Sequence, residues 1–263
     1  LRTADKNTMK RLKFSFDTTV QYSAPVTGHQ LALRCVPMTD AVQHLEKCTV
    51  TIEPGALPQP LQDGFGNTVY WYSALQPHTE LRYTSSGVAV VDKNKADKAA
   101  PNPAFCCPGL RTQPGRTLRQ VSSAMPKAGT YEAAEALCHA VHSLLQYTPG
   151  VTDNTTTAEE ALHGGLGVCQ DYAQVFVALA RLAGWSARYC MGLSVGEGAT
   201  HAWAEIYYKD HWQGFDPTRD CAADERYLRF GVGRDSADCP VEQGIFFGCA
   251  AQSQSIRMRV TEL

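Results

Sequence analysis

The sequence predicts an α+β fold in which an N-terminal antiparallel β-sandwich or barrel is followed by a core that packs a helix on an antiparallel sheet. Two observations lead to this prediction. The first 92 residues contain short β-rich runs separated by Pro, Gly and Asp turn signals. The second half contains an amphipathic helical pattern followed by a strand of alternating apolar and polar residues.

Five segments of the N-terminal part are predicted to be strands, because they are short and rich in Val, Thr, Tyr, Leu and Phe. Residues 1–8 show no periodicity and are expected to be peripheral. We interpret residues 1–92 as an N-terminal β domain that supports the core or selects its substrate. The five predicted strands are Arg11–Tyr22, Gln30–Pro37, Cys48–Glu53, Asn67–Tyr72 and Glu80–Val91.

The next stretch, residues 93–129, is rich in Lys, Asp, Pro, Gly and Ser and is predicted to be a connecting segment. It is longer than an ordinary loop, so it is expected either to wrap over the core or to form a rim of a cleft. Residues 130–263 are then predicted to form the catalytic domain. In this domain Thr130 is expected to cap a helix that runs to Tyr147.

A helix is also predicted immediately before and immediately after the glycine pair Gly165 and Gly167. Thr157 and Glu160 form a capping-box pattern for the first, short helix. From Cys169 to Ala183 apolar residues recur at intervals of three and four, and the glycine at position 184 is placed to end that second helix. Cys169 therefore lies in the first turn, where unpaired N–H groups and the helix dipole favour an anionic thiolate.

A hairpin is predicted to bring His201 and Asp216 together. The segment His201–Tyr208 alternates like a strand, and Lys209 and Asp210 can form a two-residue turn. With that register Asp216 is a diagonal neighbour of His201 on the same face, with the two backbones roughly 7–8 Å apart. A cysteine, a histidine and an aspartate in this order suit a thiol enzyme, in which a thiolate attacks, an imidazole moves the proton and a carboxylate orients the imidazole.

These stretches resemble the bacterial transglutaminase-like superfamily, whose cores are distantly similar to papain-like cysteine proteases. The resemblance implies a papain-like or transglutaminase-like core with Cys169 as nucleophile, His201 as base and Asp216 as third member. Ser236 departs from the tyrosine usual in the family, and Gln174 departs from a common histidine. The stretches that carry the resemblance are TTAEEAL at 156–162, GVCQDYAQ at 167–174, ARYCMG at 187–192, HAWAE at 201–205, GFDPT at 214–218, GRDSAD at 233–238 and DGFGN at 63–67.

The resemblance implies a cysteine-dependent acyl-transfer enzyme that acts on peptide or side-chain amides of a peptide or protein substrate through a thioester. Hydrolysis, as in a protease or amidase, is the leading expectation. Two alternatives stay open at this point. One is a protein-glutamine transamidase, and the other is a catalytically silent peptide-binding protein with the same fold.

Composition bounds the remaining expectations for the 263-residue chain. A formal charge of −2 and a pI near 6.5 give no broad attraction for nucleic acid or an anionic membrane. No apolar run approaches the length of a membrane span and no secretory signal is evident, so a cytoplasmic location is expected. The ten cysteines include no CxxC pair, so no metal site and no cofactor is predicted, and the other cysteines are expected to be structural thiols. The oligomeric state is not predicted.

Overall fold

The computed structural model describes residues 9–56, 59–98, 100–196 and 198–263, so residues 1–8, which the sequence predicts to be peripheral, lie outside the described residues. It confirms the α+β class, with two antiparallel sheets and four α-helices in the described ranges. The elements are β1 (Met9–Leu33), β2 (Gln43–Glu53), β3 (Leu61–Gln62), β4 (Thr68–Ala74), β5 (His78–Asp92), a 3-10 turn (Pro103–Cys106), α1 (Arg116–Ser122), α2 (Tyr131–Leu144), β6 (Gln146–Tyr147), α3 (Ala158–Gly164), β7 (Leu166–Gly167), α4 (Cys169–Ala183), β8 (Ala187–Ser194), β9 (His201–Tyr208), β10 (His211–Asp216), β11 (Cys221–Ala222), β12 (Tyr227–Gly233), β13 (Glu242–Phe247) and β14 (Gln252–Glu262).

The larger sheet is a curled half-barrel built around β1. The first half of β1 pairs with β5 and β14, and its second half pairs with β4 and β13. Two register irregularities lie near the middle of β1, between Gln21 and Val26 and between Thr27 and Gln30. Bulges bend a strand and increase its twist, so one long strand can serve two parts of the sheet. The two predicted strands Arg11–Tyr22 and Gln30–Pro37 are therefore one continuous element.

The last two strands of the chain return to this larger sheet. β13 pairs with Thr27–Leu33 of β1, and β14 pairs with Leu12–Tyr22. The sequence pattern indicates that both segments are strands, but it does not indicate a partner more than 200 residues earlier in the chain. Residues 130–263 thus supply strands to both sheets.

The smaller sheet has five strands in the order β11-β10-β9-β8-β12 and carries α4 on one face. Every residue of β8 and β12 is buried, because both faces of this sheet are covered. Phe176 of α4 stacks on Phe215 of β10 with ring centroids 5.8 Å apart. This packing fixes the N-terminal end of α4 beside the first residue of β9.

One predicted helix between residues 130 and 147 differs from the structure, and the connecting segment contains short elements that were not predicted. The helix predicted to reach Tyr147 ends at Leu144, because Gln146 and Tyr147 pair in parallel with β7. The connecting segment 93–129 is not a plain linker, because it contains the 3-10 turn and α1. The Glu159 carboxylate accepts hydrogen bonds from the N–H groups of Thr117 and Leu118. A residue outside α1 thus supplies the acceptors that the first-turn N–H groups of this helix lack.

The DGFGN turn at 63–67 joins the two sheets. The Asn67 side chain accepts a hydrogen bond from the Val232 N–H at 2.7 Å and donates one to the Val232 carbonyl at 2.8 Å. Asp63 accepts from Asn67 and from Arg34, and so holds that amide in place. Among the residues that the structure describes, no helix has both the length and the apolar character that a bilayer crossing requires.

Candidate active site

Cys169 is the first residue of α4, as predicted. The helix runs to Ala183 and ends at Gly184, whose φ of 108° is the left-handed conformation that favours glycine. Val168 precedes the helix with extended backbone, and its N–H donates to the Asp171 carboxylate at 2.8 Å. The sulfur of Cys169 is thus placed at the positive end of the helix dipole.

Asp171 ties the loop before Cys169 to the first turn of α4. Its side chain is fully buried and also accepts the Thr152 hydroxyl at 2.7 Å. Burial raises the pKa of this carboxyl, although the hydrogen bonds from Val168 and Thr152 oppose the rise. A Cβ at Gly167 would lie 2.6 Å from the Asp171 Cβ, so the close approach requires glycine. Sequence analysis missed this role, although an acidic residue three positions after an N-cap is a recognisable capping signal.

His201 and Asp216 form a buried pair. The imidazole is 5% exposed, and its Nε2–H donates to Asp216 Oδ2 at 2.7 Å, which leaves Nδ1 as the ring nitrogen available to Cys169. Burial disfavours the imidazolium. Nevertheless, the hydrogen bonds and charges of Asp216 and Cys169 together outweigh that effect and raise the pKa of His201 from 6.5 to about 9.

The Asp216 carboxylate is held by more groups than sequence analysis identified. Tyr227 donates its hydroxyl to Oδ2 at 2.7 Å, and the N–H groups of Thr218 and Arg219 donate to Oδ1 at 2.9 and 3.3 Å. Burial opposes ionisation, but these bonds, the bond from His201 and the Arg219 guanidinium lower the pKa of Asp216. Tyr227 lies 11 residues beyond Asp216 on another strand, and no local pattern indicated it.

The hairpin register is confirmed. Lys209 and Asp210 form the two-residue turn with φ values of 47° and 61°, the signature of a type I′ turn. Tyr208 faces His211, and the pairing continues to Ala204 opposite Phe215. Asp216 follows Phe215 and therefore lies diagonal to His201, and the two side chains meet at 2.7 Å.

Cys169 and His201 line an open cleft of about 490 Å³. Leu110 and Arg111 of the connecting segment form part of its wall, which agrees with the rim alternative predicted for that segment. Glu242 and Gln243 at the start of β13 form another part. The larger sheet therefore contributes directly to the surroundings of the cysteine.

Ser236 and Gln174, the two departures from the family pattern, contact each other. The Ser236 hydroxyl donates to Gln174 Oε1 at 2.8 Å, and Gln174 donates in turn to the Thr156 carbonyl at 3.2 Å. Gln174 is fully buried, while Ser236 lines the cleft. The departures thus form one hydrogen-bonded pair that connects the cleft wall to α4 and to the carbonyl of Thr156.

The other cysteines are free thiols, and their surroundings differ from those of Cys169. Cys138 and Cys190 are buried as predicted, and burial raises the pKa of both thiols. Cys106 and Cys107 are exposed. Among the described residues, Cys169 is the cysteine that combines a helix N-terminus, a histidine partner and a cleft.

Comparison with known proteins agrees with this architecture. The family model of the transglutaminase-like superfamily matches residues 117–217, and that of the bacterial transglutaminase-like N-terminal region matches residues 12–90. Uncharacterized proteins of Mycobacterium tuberculosis and Mycobacterium leprae are 27% and 28% identical, over 90% and 97% of this chain and 88% and 100% of theirs. The crystal structure of a "putative cysteine protease" from Cytophaga hutchinsonii shares the fold, with a TM-score of 0.79 and 20% identity over 97% of this chain and 91% of that chain.

The two family matches cover separate parts of the chain and together extend over more than half of it. The first contains Cys169, His201 and Asp216, and the second corresponds to the strands that surround β1. The chain belongs to the transglutaminase-like superfamily, a family of cysteine-dependent enzymes.

Proposed function

We propose that this protein is a cysteine-dependent amide hydrolase in which Cys169 is the nucleophile, His201 the acid and base, and Asp216 the orienting carboxylate. The observation that carries the proposal is a buried imidazole that donates to Asp216 at 2.7 Å and lines the same open cleft as Cys169, whose side chain contributes to raising the imidazole's pKa. Its pKa of about 9 favours the imidazolium at neutral pH, and an imidazolium beside a cysteine stabilises the thiolate.

In the first step the Cys169 thiolate attacks the amide carbonyl carbon. The carbon–sulfur bond forms and the carbon–nitrogen bond breaks, while the His201 imidazolium gives its proton to the departing amine. The products of this step are a free amine, a thioester on Cys169 and a neutral imidazole. The Cys169 N–H is the first of α4 and has no acceptor within the helix, so it is available to stabilise the oxyanion.

In the second step water attacks the thioester and His201 takes the water proton. The carbon–sulfur bond breaks, the carboxylic acid leaves, and the thiolate–imidazolium pair is restored. Asp216 keeps the imidazole in one orientation through both steps, because its bond to Nε2 leaves Nδ1 directed at the reacting atoms.

Hydrolysis is preferred to transamidation because of the charges around the cleft. An amine acceptor enters as a cation and gains from a carboxylate that can hold it. Among the described residues that line the cleft, Glu242 supplies the carboxylate. Its two oxygens already accept hydrogen bonds from Tyr83 and Gln254. The open cleft admits water without such a site.

Mass spectrometry of a peptide and protein library incubated with the enzyme tests this proposal. Hydrolysis of main-chain amides yields two fragments, side-chain deamidation exchanges an amide for an acid, and transamidation with an added fluorescent amine yields a covalent label. We expect cleavage or deamidation and no label. Incorporation of the amine in preference to water would show that the enzyme is a transamidase instead.

The Cys169→Ala variant provides the matched control. We expect it to lose all turnover while its free energy of unfolding changes by less than about 1 kcal/mol, because the thiol is only partly buried and the substitution removes a single heavy atom. A folded variant with full activity would remove Cys169 from the mechanism. Two results together would support the silent peptide-binding alternative. The wild-type protein would turn over no member of the library, and its Cys169 would react no faster than an exposed thiol.

A further inference from the structure

We propose that the polypeptide substrate binds as an added antiparallel or parallel strand along the free edge of β13, which leads the chain into the cleft beside Cys169. This inference rests on the proposed function, since it names how the substrate of that site is held. It assigns the substrate-selecting role to one strand of the larger sheet. Four observations carry it.

The outward edge of β13 has backbone groups that can pair with a peptide. The Arg34 N–H donates to the Val241 carbonyl at 2.7 Å, and Leu33 lies opposite Glu242 in the same register. Bonded and non-bonded pairs alternate in an antiparallel ladder, so the N–H and C=O groups of Glu242 and Gly244 point away from β1. Among the described strands, β13 pairs with β1 alone.

The edge of β13 also lacks the charged residues that the β2 and β14 edges of this sheet carry. Edge strands usually bear charges or are very short, which prevents unwanted pairing. β2 carries Glu46 and Lys47, and β14 carries Arg257 and Arg259. Residues 243–247 of β13 contain no charge and no proline. An unprotected edge is expected where pairing is the function.

The edge is continuous with the cleft. Glu242 and Gln243 are consecutive, so their side chains point to opposite faces of the sheet, yet both line the cleft with Cys169. A cavity that touches both faces of a strand lies against its edge. An extended chain beside β13 therefore reaches the cysteine without a turn.

The outer face of β13 indicates which side chains the substrate carries. Ile245 and Phe247 are 67% and 69% exposed, and Trp71 on β4, two strands away in the same sheet, is 59% exposed. A strand added to β13 places every second side chain on this face. We therefore expect substrates with apolar residues at alternate positions next to the reacting amide.

Amide hydrogen exchange in covalent peptide adducts tests the inference. Two short peptides of alternating valine and threonine carry either a C-terminal chloromethyl ketone or an N-terminal chloroacetyl group. In both, the Cys169 sulfur displaces chloride, so a carbon–sulfur bond forms and the carbon–chlorine electron pair leaves with chloride. The two probes fill opposite ends of the cleft. Protein alkylated with iodoacetamide is the reference.

We expect one of the two adducts to slow exchange of the Glu242 and Gly244 amides by about 10-fold or more relative to the reference. We also expect Ile245→Glu to slow alkylation by that peptide by about 10-fold and to leave the iodoacetamide rate unchanged. The matched control Ile256→Glu, on β14 of the same sheet and 45% exposed, should change neither rate. Adducts that leave both amides unprotected, or equal rates for the two variants, would overturn edge binding.

A failure of the proposed function gives a different result. If Cys169 reacts with iodoacetamide no faster than the exposed Cys107, the cysteine chemistry is wrong. The exchange measurement is then made on Cys169→Ala with the same peptides lacking their reactive groups. Protection of Glu242 and Gly244 would support edge binding by a silent protein, and its absence would overturn the inference as well.

Discussion

The two sides of the candidate site are built differently. The Asp216 carboxylate is fully buried and accepts from His201, Tyr227 and two backbone N–H groups. The Cys169 sulfur lies at a cleft, and its position depends on the helix start and on the Asp171 tether. This difference shows that the imidazole is the fixed element of the site, because the buried Asp216 side immobilises it. The Cys169 side faces the cleft and is left open for the substrate.

Asp216→Asn is expected to have the largest effect on activity. An amide in place of the carboxylate removes the negative charge and presents an NH₂ group where His201 and Tyr227 both donate. We expect kcat to fall by about 10²–10⁴-fold, since the imidazole loses its tautomer and its ion pair. Steady-state kinetics on the best library substrate measures this.

The matched control is Asp224→Asn, which removes a carboxylate that pairs with Arg226 on the surface of the same region. It should keep kcat within about twofold, because an exposed ion pair contributes little. Equal losses in the two variants would mean that Asp216 supports the fold and not the imidazole.

The raised pKa of His201 predicts how stability changes with pH. A group whose pKa is higher in the folded state stabilises the fold fully below its unfolded pKa of about 6.5, and this contribution is lost as the pH rises through about 9. We expect the free energy of unfolding to fall by on the order of 1–3 kcal/mol across that window.

Urea unfolding of the Cys169→Ala variant measures the part of this change that comes from Asp216, because the Cys169 side chain is itself one of the causes of the raised pKa. A second variant that also carries His201→Gln should lose most of the pH dependence. If both variants show the same pH dependence, another group is responsible and the strong His201–Asp216 pairing is not supported.

Tyr227→Phe is expected to have the smallest effect of the three. It removes the hydroxyl that donates to Asp216 and accepts from the Arg219 guanidinium at 3.1 Å, and it leaves the ring packing intact. We therefore expect about 1 kcal/mol of lost stability and a roughly 10-fold lower kcat with unchanged KM. Tyr207→Phe, on β9 of the same sheet, is the control for losing a tyrosine hydroxyl away from Asp216. A changed KM with an unchanged kcat would instead assign Tyr227 to substrate binding.

Local features of the sequence were sufficient to predict the parts of the site that depend on neighbours in the chain. The α4 boundaries follow from apolar periodicity and Gly184, and the β9–β10 register follows from the two-residue turn. Tyr227 and the pairing of β13 with β1 could not be predicted this way. Both depend on contacts between segments far apart in sequence, for which a single chain carries no periodic signal.

The same distinction explains the errors in element boundaries. The helix that starts after Thr130 stops three residues before Tyr147, because pairing of Gln146 and Tyr147 with β7 overrides helical propensity. The two N-terminal strands merge into β1, because the sheet bends by bulges instead of a turn.

The rate of cysteine alkylation at mildly acidic pH tests the central claim most directly. Iodoacetamide is added at about pH 6, and mass spectrometry follows Cys169 beside the exposed Cys107 and Cys249 in the same molecule. The account predicts that Cys169 reacts at least about 10-fold faster than the other two, and that His201→Ala removes the difference. Equal rates for the three cysteines in the wild-type protein would contradict a thiolate held by the imidazolium.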